Sequence, residues 1–230
     1  MIRLPAYNLF FKPHLLGVFL LTFCFQWTIA QENRETHIRK KQEIKGGLAP
    51  KSVVSSKNGL FAAQNMMYRH TVTIYNEKGT RLAKIKDGVN LKDYGFDEYE
   101  DHNYLGGPVE AAFTSDGKYL WVSNYSMVGP GFENEGCDGC IGKTYDPSFL
   151  YKINCSSFEI ESVVKVGAVP KFIAISDDDT KLLVSNWTSS DVSVVDLNTE
   201  KEVKKVDVGA HPRGMDISKD GKTAFVTVMG

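Results

Sequence analysis

Two cysteines three positions apart, in Gly136-Cys-Asp-Gly-Cys140, are the residues of this 230-residue chain most open to chemistry. A Cys-x-x-Cys pair can chelate a metal, exchange disulfides or staple a loop. Ile141 stands where c-type haem attachment needs histidine, which disfavours haem. A redox pair gains thiolate character at a helix N-terminus, and the Gly- and Pro-bearing surroundings offer no helix. Zinc wants four ligands, and Cys155 is the one further cysteine after the N-terminal segment. A structural disulfide therefore ranks first among the candidates Cys137, Cys140 and Cys155, ahead of metal and redox roles. Cys155 can pair with either of the others. No metal and no cofactor is expected.

The remaining reactive residues do not converge. The acidic run Asp97-Glu-Tyr-Glu-Asp101 offers oxygen ligands to calcium but lacks the spaced pattern of an EF-hand loop, so a solvated loop is the better reading. His37, His70, His102 and His211 have no ligand spacing, and no Ser-His-acid set or phosphate-cradling Gly loop can be placed. A formal net charge of −1 argues against a dedicated nucleic-acid binder.

The N-terminus reads as an export signal over residues 1–30. Arg3, Lys12 and His14 precede an apolar run from Leu15 to Phe25, and Thr28-Ile-Ala30 offers small residues for cleavage. The run falls short of the about 20 apolar residues that span a bilayer, so no transmembrane span is expected after cleavage. Cys24 lacks the preceding small residue of a lipoprotein signal. Residues 31–49 form a polar, charge-mixed flexible leader. The expected location is periplasmic, cell-surface or extracellular, where disulfides persist.

The elements that must position these residues come from a repeat. Three segments align without gaps from a shared proline, over 108–124, 170–186 and 212–228, and Pro170 and Pro212 lie 42 residues apart. A strand–turn–strand unit with a period near 40 marks a β-propeller blade. The turns carry Asp116-Gly117, Asp178-Asp179 and Asp220-Gly221, suited to tight antiparallel hairpins. The expectation is an all-β propeller of four-stranded antiparallel blades. One blade covers 50–88, a linker 89–107, a second blade 108–168 with an inserted loop over 126–148, a third 170–210 and a partial blade 212–230. Three and a half blades leave an open edge, so the chain reads as a fragment of a closed propeller, seven-bladed in full length. Second strands such as Leu182-Leu-Val184 are apolar throughout and should lie between neighbouring blades.

In a propeller the loops entering the innermost strands rim the mouth of the central channel. Glu110, Lys171, His211 and Arg213 flank the aligned prolines, and Lys171 and Arg213 share one repeat position. Such a ring can hold an anionic ligand, or simply solvate the entrance. Tyr125 and Trp187 follow equivalent Asn124 and Asn186 and could form an aromatic platform for a glycan or peptide. The asparagines suit a backbone role. With Asn154, they also begin Asn-x-Ser/Thr sequons.

The repeats resemble those of the YVTN family of β-propellers. The matches are Thr114-Ser-Asp-Gly-Lys118 with Trp121-Val-Ser-Asn124, Ser176-Asp-Asp-Asp-Thr180 with Leu183-Val-Ser-Asn186, and Ser218-Lys-Asp-Gly-Lys222 with Phe225-Val-Thr-Val228. Asp191-Val-Ser-Val-Val-Asp-Leu197 and the lead-in Val208-Gly-Ala-His-Pro-Arg-Gly214 also match. Asp179 replaces the usual glycine, Val228 the usual asparagine, and the WD dipeptide is absent. The resemblance implies a secreted or envelope protein, often seven-bladed. The leading functional expectation is a binding scaffold that presents loops around a channel to a protein, glycan or small anionic ligand. The alternative is a propeller enzyme, lactonase or quinoprotein-dehydrogenase-like, with its site at the channel mouth. Fold alone transfers neither activity.

Overall fold

β-branched and apolar residues make short strands here, and Asp- or Gly-bearing turns end them. The computed structural model describes residues 39–230. The export signal expected over 1–30, with Cys24, lies outside them. Residues 39–43 have no regular structure, and 44–230 form one compact unit.

The first sheet runs β1 (Ser52–Ser55), β2 (Phe61–Asn65), β3 (Thr71–Tyr75) and β4 (Arg81–Lys86), hydrogen-bonded in that order. The second holds β5 (Gly88–Asn90), β6 (Asn103–Phe113), β7 (Tyr119–Val128), β8 (Ser148–Asn154) and β9 (Ile160–Val166). The third holds β10 (Pro170–Ile175), β11 (Lys181–Asn186), β12 (Asp191–Asp196) and β13 (Lys201–Asp207). A hairpin of β14 (Pro212–Ile217) and β15 (Ala224–Val228) follows. Every pairing is antiparallel between consecutive strands.

Blades pack face to face. Ala62, Val72 and Ile74 of the first meet Ala111, Leu120, Val122 and Ile153 of the second. Trp121, Leu150, Val164 and Val166 of the second meet Ile173, Leu182, Val184 and Val195 of the third. Leu183 and Val192 turn the other way, onto Met215 of the hairpin. Neighbours Leu182 and Leu183 thus serve opposite interfaces, as the apolar run of β11 implies.

One segment departs from the sequence-based expectation. Residues 89–107 are not a plain linker: β5 adds a fifth strand to the second blade, and Leu91–Tyr94 form a 3-10 turn. The reason is aromatic burial that strand periodicity does not show. Tyr94, Phe96, Tyr99 and Tyr104 cluster with Phe149 and with Phe132 from the insertion, and Tyr99 stacks on Phe132 at 5.1 Å. The acidic run lies on the surface of this arrangement, fastened by Glu98 paired to Lys165 at 3.2 Å and Asp101 accepting from Asn90 Nδ2 at 2.7 Å. The insertion occupies 129–147 between β7 and β8.

The two blade rims differ in construction. On the turn rim, Asp116, Asp178 and Asp220 each accept a hydroxyl from the Thr or Ser two residues earlier and a backbone N–H two residues later. These bonds hold Asp116 and Asp178 down at about 2, the backbone of Lys118 leading for Asp116 and the Ser176 hydroxyl for Asp178. The next residue is left-handed in each turn, at Gly117, Asp179 and Gly221. Asp179 bears that conformation because its carboxylate accepts the Ser115 N–H at 2.9 Å from the neighbouring blade. Asn58 Nδ2 similarly reaches Gly117 O at 3.4 Å.

On the proline rim, where the inner strands begin, asparagines lock each blade. Asn65 Nδ2 donates to Thr71 O and Thr73 Oγ1, Asn124 Nδ2 to Phe149 O, and Asn186 Nδ2 to Asp191 Oδ1 and Ser193 Oγ. All three are fully buried, so the sequons at Asn124 and Asn186 are closed in the folded chain. Gly106 and Gly167 lie so close that a Cβ would meet the Asn124 and Asn186 side chains at 2.5 and 2.6 Å. Asp87 is buried at the junction of the first two blades, with neither carboxyl oxygen hydrogen-bonded in the observed geometry. Desolvation pushes it up to about 8, and the nearby Tyr151 hydroxyl offsets only part of that.

Two outcomes follow. Gly167→Ala should destabilise by about 1–3 kcal/mol in denaturant titration, since Asn186 is held by two bonds and cannot give way; an unchanged midpoint would show the contact to be slack. Asp87 is neutral when folded and ionised when unfolded between its ordinary value and about 8. The unfolded chain binds fewer protons there, so stability should fall as pH rises across that window. Asp87→Asn should remove that slope, its advantage growing from pH 4 to pH 8; parallel stability curves for the two proteins would refute the assignment.

Candidate functional site

The insertion folds back over the proline rim and brings most of the predicted residues together. Cys137 and Cys140 are joined as a disulfide, and Cys140 N donates to Cys137 O at 3.1 Å, so the four residues form a closed turn. Cys155 is not a partner. It lies at the far end of β8, its N–H bonded to Lys118 O on the turn rim at 2.8 Å, with its thiol pushed up to about 11 by burial.

The third blade holds the disulfide turn in place. Thr188 Oγ1 donates to Cys137 O at 3.0 Å, Trp187 Nε1 to Asp138 O at 2.9 Å, and Gly142 N to Thr188 O at 2.9 Å. Gly136 lets the approach happen, since a Cβ there would meet Val169 Cγ2 at 2.8 Å. Val169 and His211, directly before Pro170 and Pro212, are both left-handed, with φ of 57° and 56°. A residue before proline ordinarily stays extended, and valine disfavours this region most. At His211 the ring stacks on Trp187 with centroids 4.4 Å apart, and Nε2 faces Cys140 O at 3.4 Å.

At the centre sits an ion pair. Lys171 Nζ donates to Asp138 Oδ1 at 2.5 Å, and Tyr125 Oη donates to the same oxygen at 3.0 Å. The ammonium also lies 4.7 Å from the Tyr125 ring centroid and 5.5 Å from that of Trp187, within cation–π range. The Lys171 side chain is 5% exposed and that of Asp138 72%. The Lys171 bond holds the Asp138 carboxyl below its usual range, and burial raises the Tyr125 phenol.

Glu110 and Arg213 belong to the same rim without joining this cluster. Glu110 is half-buried; burial raises its carboxyl, opposed by the nearby Ser52 hydroxyl and then by the fields of Arg213, Lys51 and Lys171. Arg213 is exposed, its backbone carbonyl accepting from Ser185 Oγ at 2.7 Å. Sequence reasoning passed over two residues. Lys51 follows Pro50 at the offset that Lys171 and Arg213 keep from Pro170 and Pro212, so its signal was present in the repeat. Asp138 had no signal beyond its place between the cysteines.

No family model matches the chain. A short stretch is similar to Antigen Lp49 of Leptospira interrogans serogroup Icterohaemorrhagiae serovar copenhageni, 48% identical over 42 residues, or 18% of this chain and 9% of that protein. Two solved structures, the RRP9 WD40 repeats and U3-55K, superpose with TM-scores of 0.53 and 0.54 at 13% identity. The fold is a β-propeller. The match covers 75% of this chain but only 43% and 44% of those two. The propeller's disulfide turn therefore stands on a fold that those structures share, a likeness that carries no chemistry with it.

Trp187→Phe keeps a ring against His211 but removes the donor to Asp138 O. The loss should cost about 1 kcal/mol locally, read as roughly fivefold faster amide exchange in the turn around Cys140 with exchange in β11 unchanged. Equal exchange in both proteins would mean that the indole bond does not hold the turn.

Proposed function

We propose that this propeller is an exported interaction scaffold of the YVTN repeat type, with the proline rim of its second and third blades as the recognition face. The observation that carries the reading is the disulfide turn seated on Lys171, Tyr125, Trp187 and His211. A surface insertion left to solvent needs no such fastening. Here a covalent closure and hydrogen bonds from the third blade hold one conformation, which lowers the ordering cost of binding. Aromatic rings and cations on a rigid rim are the residue types that anchor partners. The N-terminal residues supply the export part of the reading, and oxidised Cys137–Cys140 accords with an exported location. A protein or glycan partner with acidic groups suits the cationic side chains Lys51, Lys171 and Arg213.

The test uses the full chain in its own cells, with a photo-crosslinking residue at exposed Glu135 or Arg213 on the proline rim, and at Lys78 or Lys219 on the turn rim. Discrete adducts should form from the first pair, on a chain recovered outside the cytosol and lacking residues 1–30. Adducts confined to the turn rim would overturn the choice of face, and a cytosolic chain with its N-terminus intact would overturn export.

A further inference from the structure

We propose that the proline rim contains a carboxylate-binding seat centred on Lys171, and that Asp138 is its built-in occupant, displaced when a ligand carboxylate binds. The inference rests on the recognition face described above and names the chemistry that face takes.

The seat is built by residues outside the insertion. Lys171 is the second residue of the third blade's inner strand, Tyr125 lies within the second blade's β7, and Trp187 follows β11. Together they present an ammonium and a phenol hydroxyl, both directed at one oxygen, with two aromatic rings alongside. Two donors converging on one oxygen make an oxyanion site, since charge-assisted hydrogen bonds are strongest where the donors are desolvated. The Lys171 side chain meets that condition at 5% exposure.

The occupant does not match the seat in burial. A buried ammonium is stabilised by a buried, fully bonded carboxylate, yet the Asp138 side chain is 72% exposed. It arrives on a turn held chiefly by backbone atoms: Trp187 and Thr188 donate to the carbonyls of Asp138 and Cys137, and Gly142 N donates to Thr188 O. The turn can therefore stay docked while the Asp138 side chain swings out. Its exposure gives an incoming carboxylate a path from solvent. Lys51 adds to the positive field at the seat, which favours a carboxylate there. Glu110 is the opposing acid on this rim and is half-buried, its carboxyl raised by burial.

An internal occupant lowers apparent affinity by the fraction of time it fills the seat. Asp138→Ala leaves the backbone anchors in place and empties the seat. Calorimetric titration of the full exported chain with succinate, at constant ionic strength, should show at least about tenfold tighter binding to Asp138→Ala than to the native protein. Lys171→Met in the Asp138→Ala background should abolish binding. Because a buried lysine can matter for folding, Tyr125→Phe supplies a second variant on the partly exposed side of the seat. It removes one donor and should weaken succinate about fivefold in the same background. Asp220→Asn, on the turn rim, should leave binding unchanged. Equal affinity in native and Asp138→Ala proteins, no succinate binding to Asp138→Ala, or indifference to Tyr125→Phe would each overturn the seat. Those results would leave partner crosslinks at Glu135 and Arg213 unaffected, so the two readings fail separately.

Discussion

The middle strands of the third blade have two apolar faces, and neither can be left in water. Leu182 and Leu183 state the constraint in adjacent residues, one packed toward the second blade and the other toward the hairpin of β14 and β15. Burial of such side chains contributes about 1.5–3 kcal/mol each, so each neighbouring blade that covers such a face adds substantially to stability. Stacking around an axis is the consequence, and it places the ends of every inner strand on one of two rims. The aspartate turns, the asparagine locks and the disulfide turn all lie on those rims.

The two rims use polar groups for different ends. On the turn rim, aspartates bond within their own turns and reach across to the next blade, as Asp179 does to Ser115. A left-handed non-glycine residue is tolerated there because its carboxylate is used. On the proline rim, buried asparagines tie second strands to third strands, and glycines such as Gly167 pack against them. These contacts need close backbone approach, which leaves the entering loops free to carry variable side chains. Lys51, Lys171, His211 and Arg213 occupy those loops and strand starts.

Electrostatics then gives the proline rim its character. The second blade contributes acid, through Glu110 and the inserted Asp138, while the first, third and fourth repeats contribute cations at one offset from proline. Lys171 is desolvated by Tyr125 and Trp187, which makes its carboxylate partner matter more than a surface pair would. The disulfide turn brings Asp138 to that ammonium. Left-handed Val169 and His211 place residues of adjacent lead-ins against the same turn. Backbone strain, covalent closure and ion pairing meet at one place.

Much of this was legible in the residues because a repeat multiplies its own signal. The Asp-Gly turns, the apolar second strands and the proline starts recur in phase, and local periodicity is enough to read them as blades. The same phase also set Lys171 and Arg213 at one repeat position. What escaped has no period. Tyr99 and Phe132 lie in segments that resemble a linker and a loop, and they stack only because β5 and the insertion meet on the second blade. Asp87 looks like an ordinary acid after a lysine-bearing strand, and its burial arises from packing between blades. The cysteine spacing suggested a staple, but the partner of Asp138 lies 33 positions away and joins it only when blades two and three are side by side. Short-range pattern specifies strands and turns because those depend on neighbours in the chain; long-range pairs of charges and rings depend on how the blades are stacked, and that is settled by three-dimensional packing.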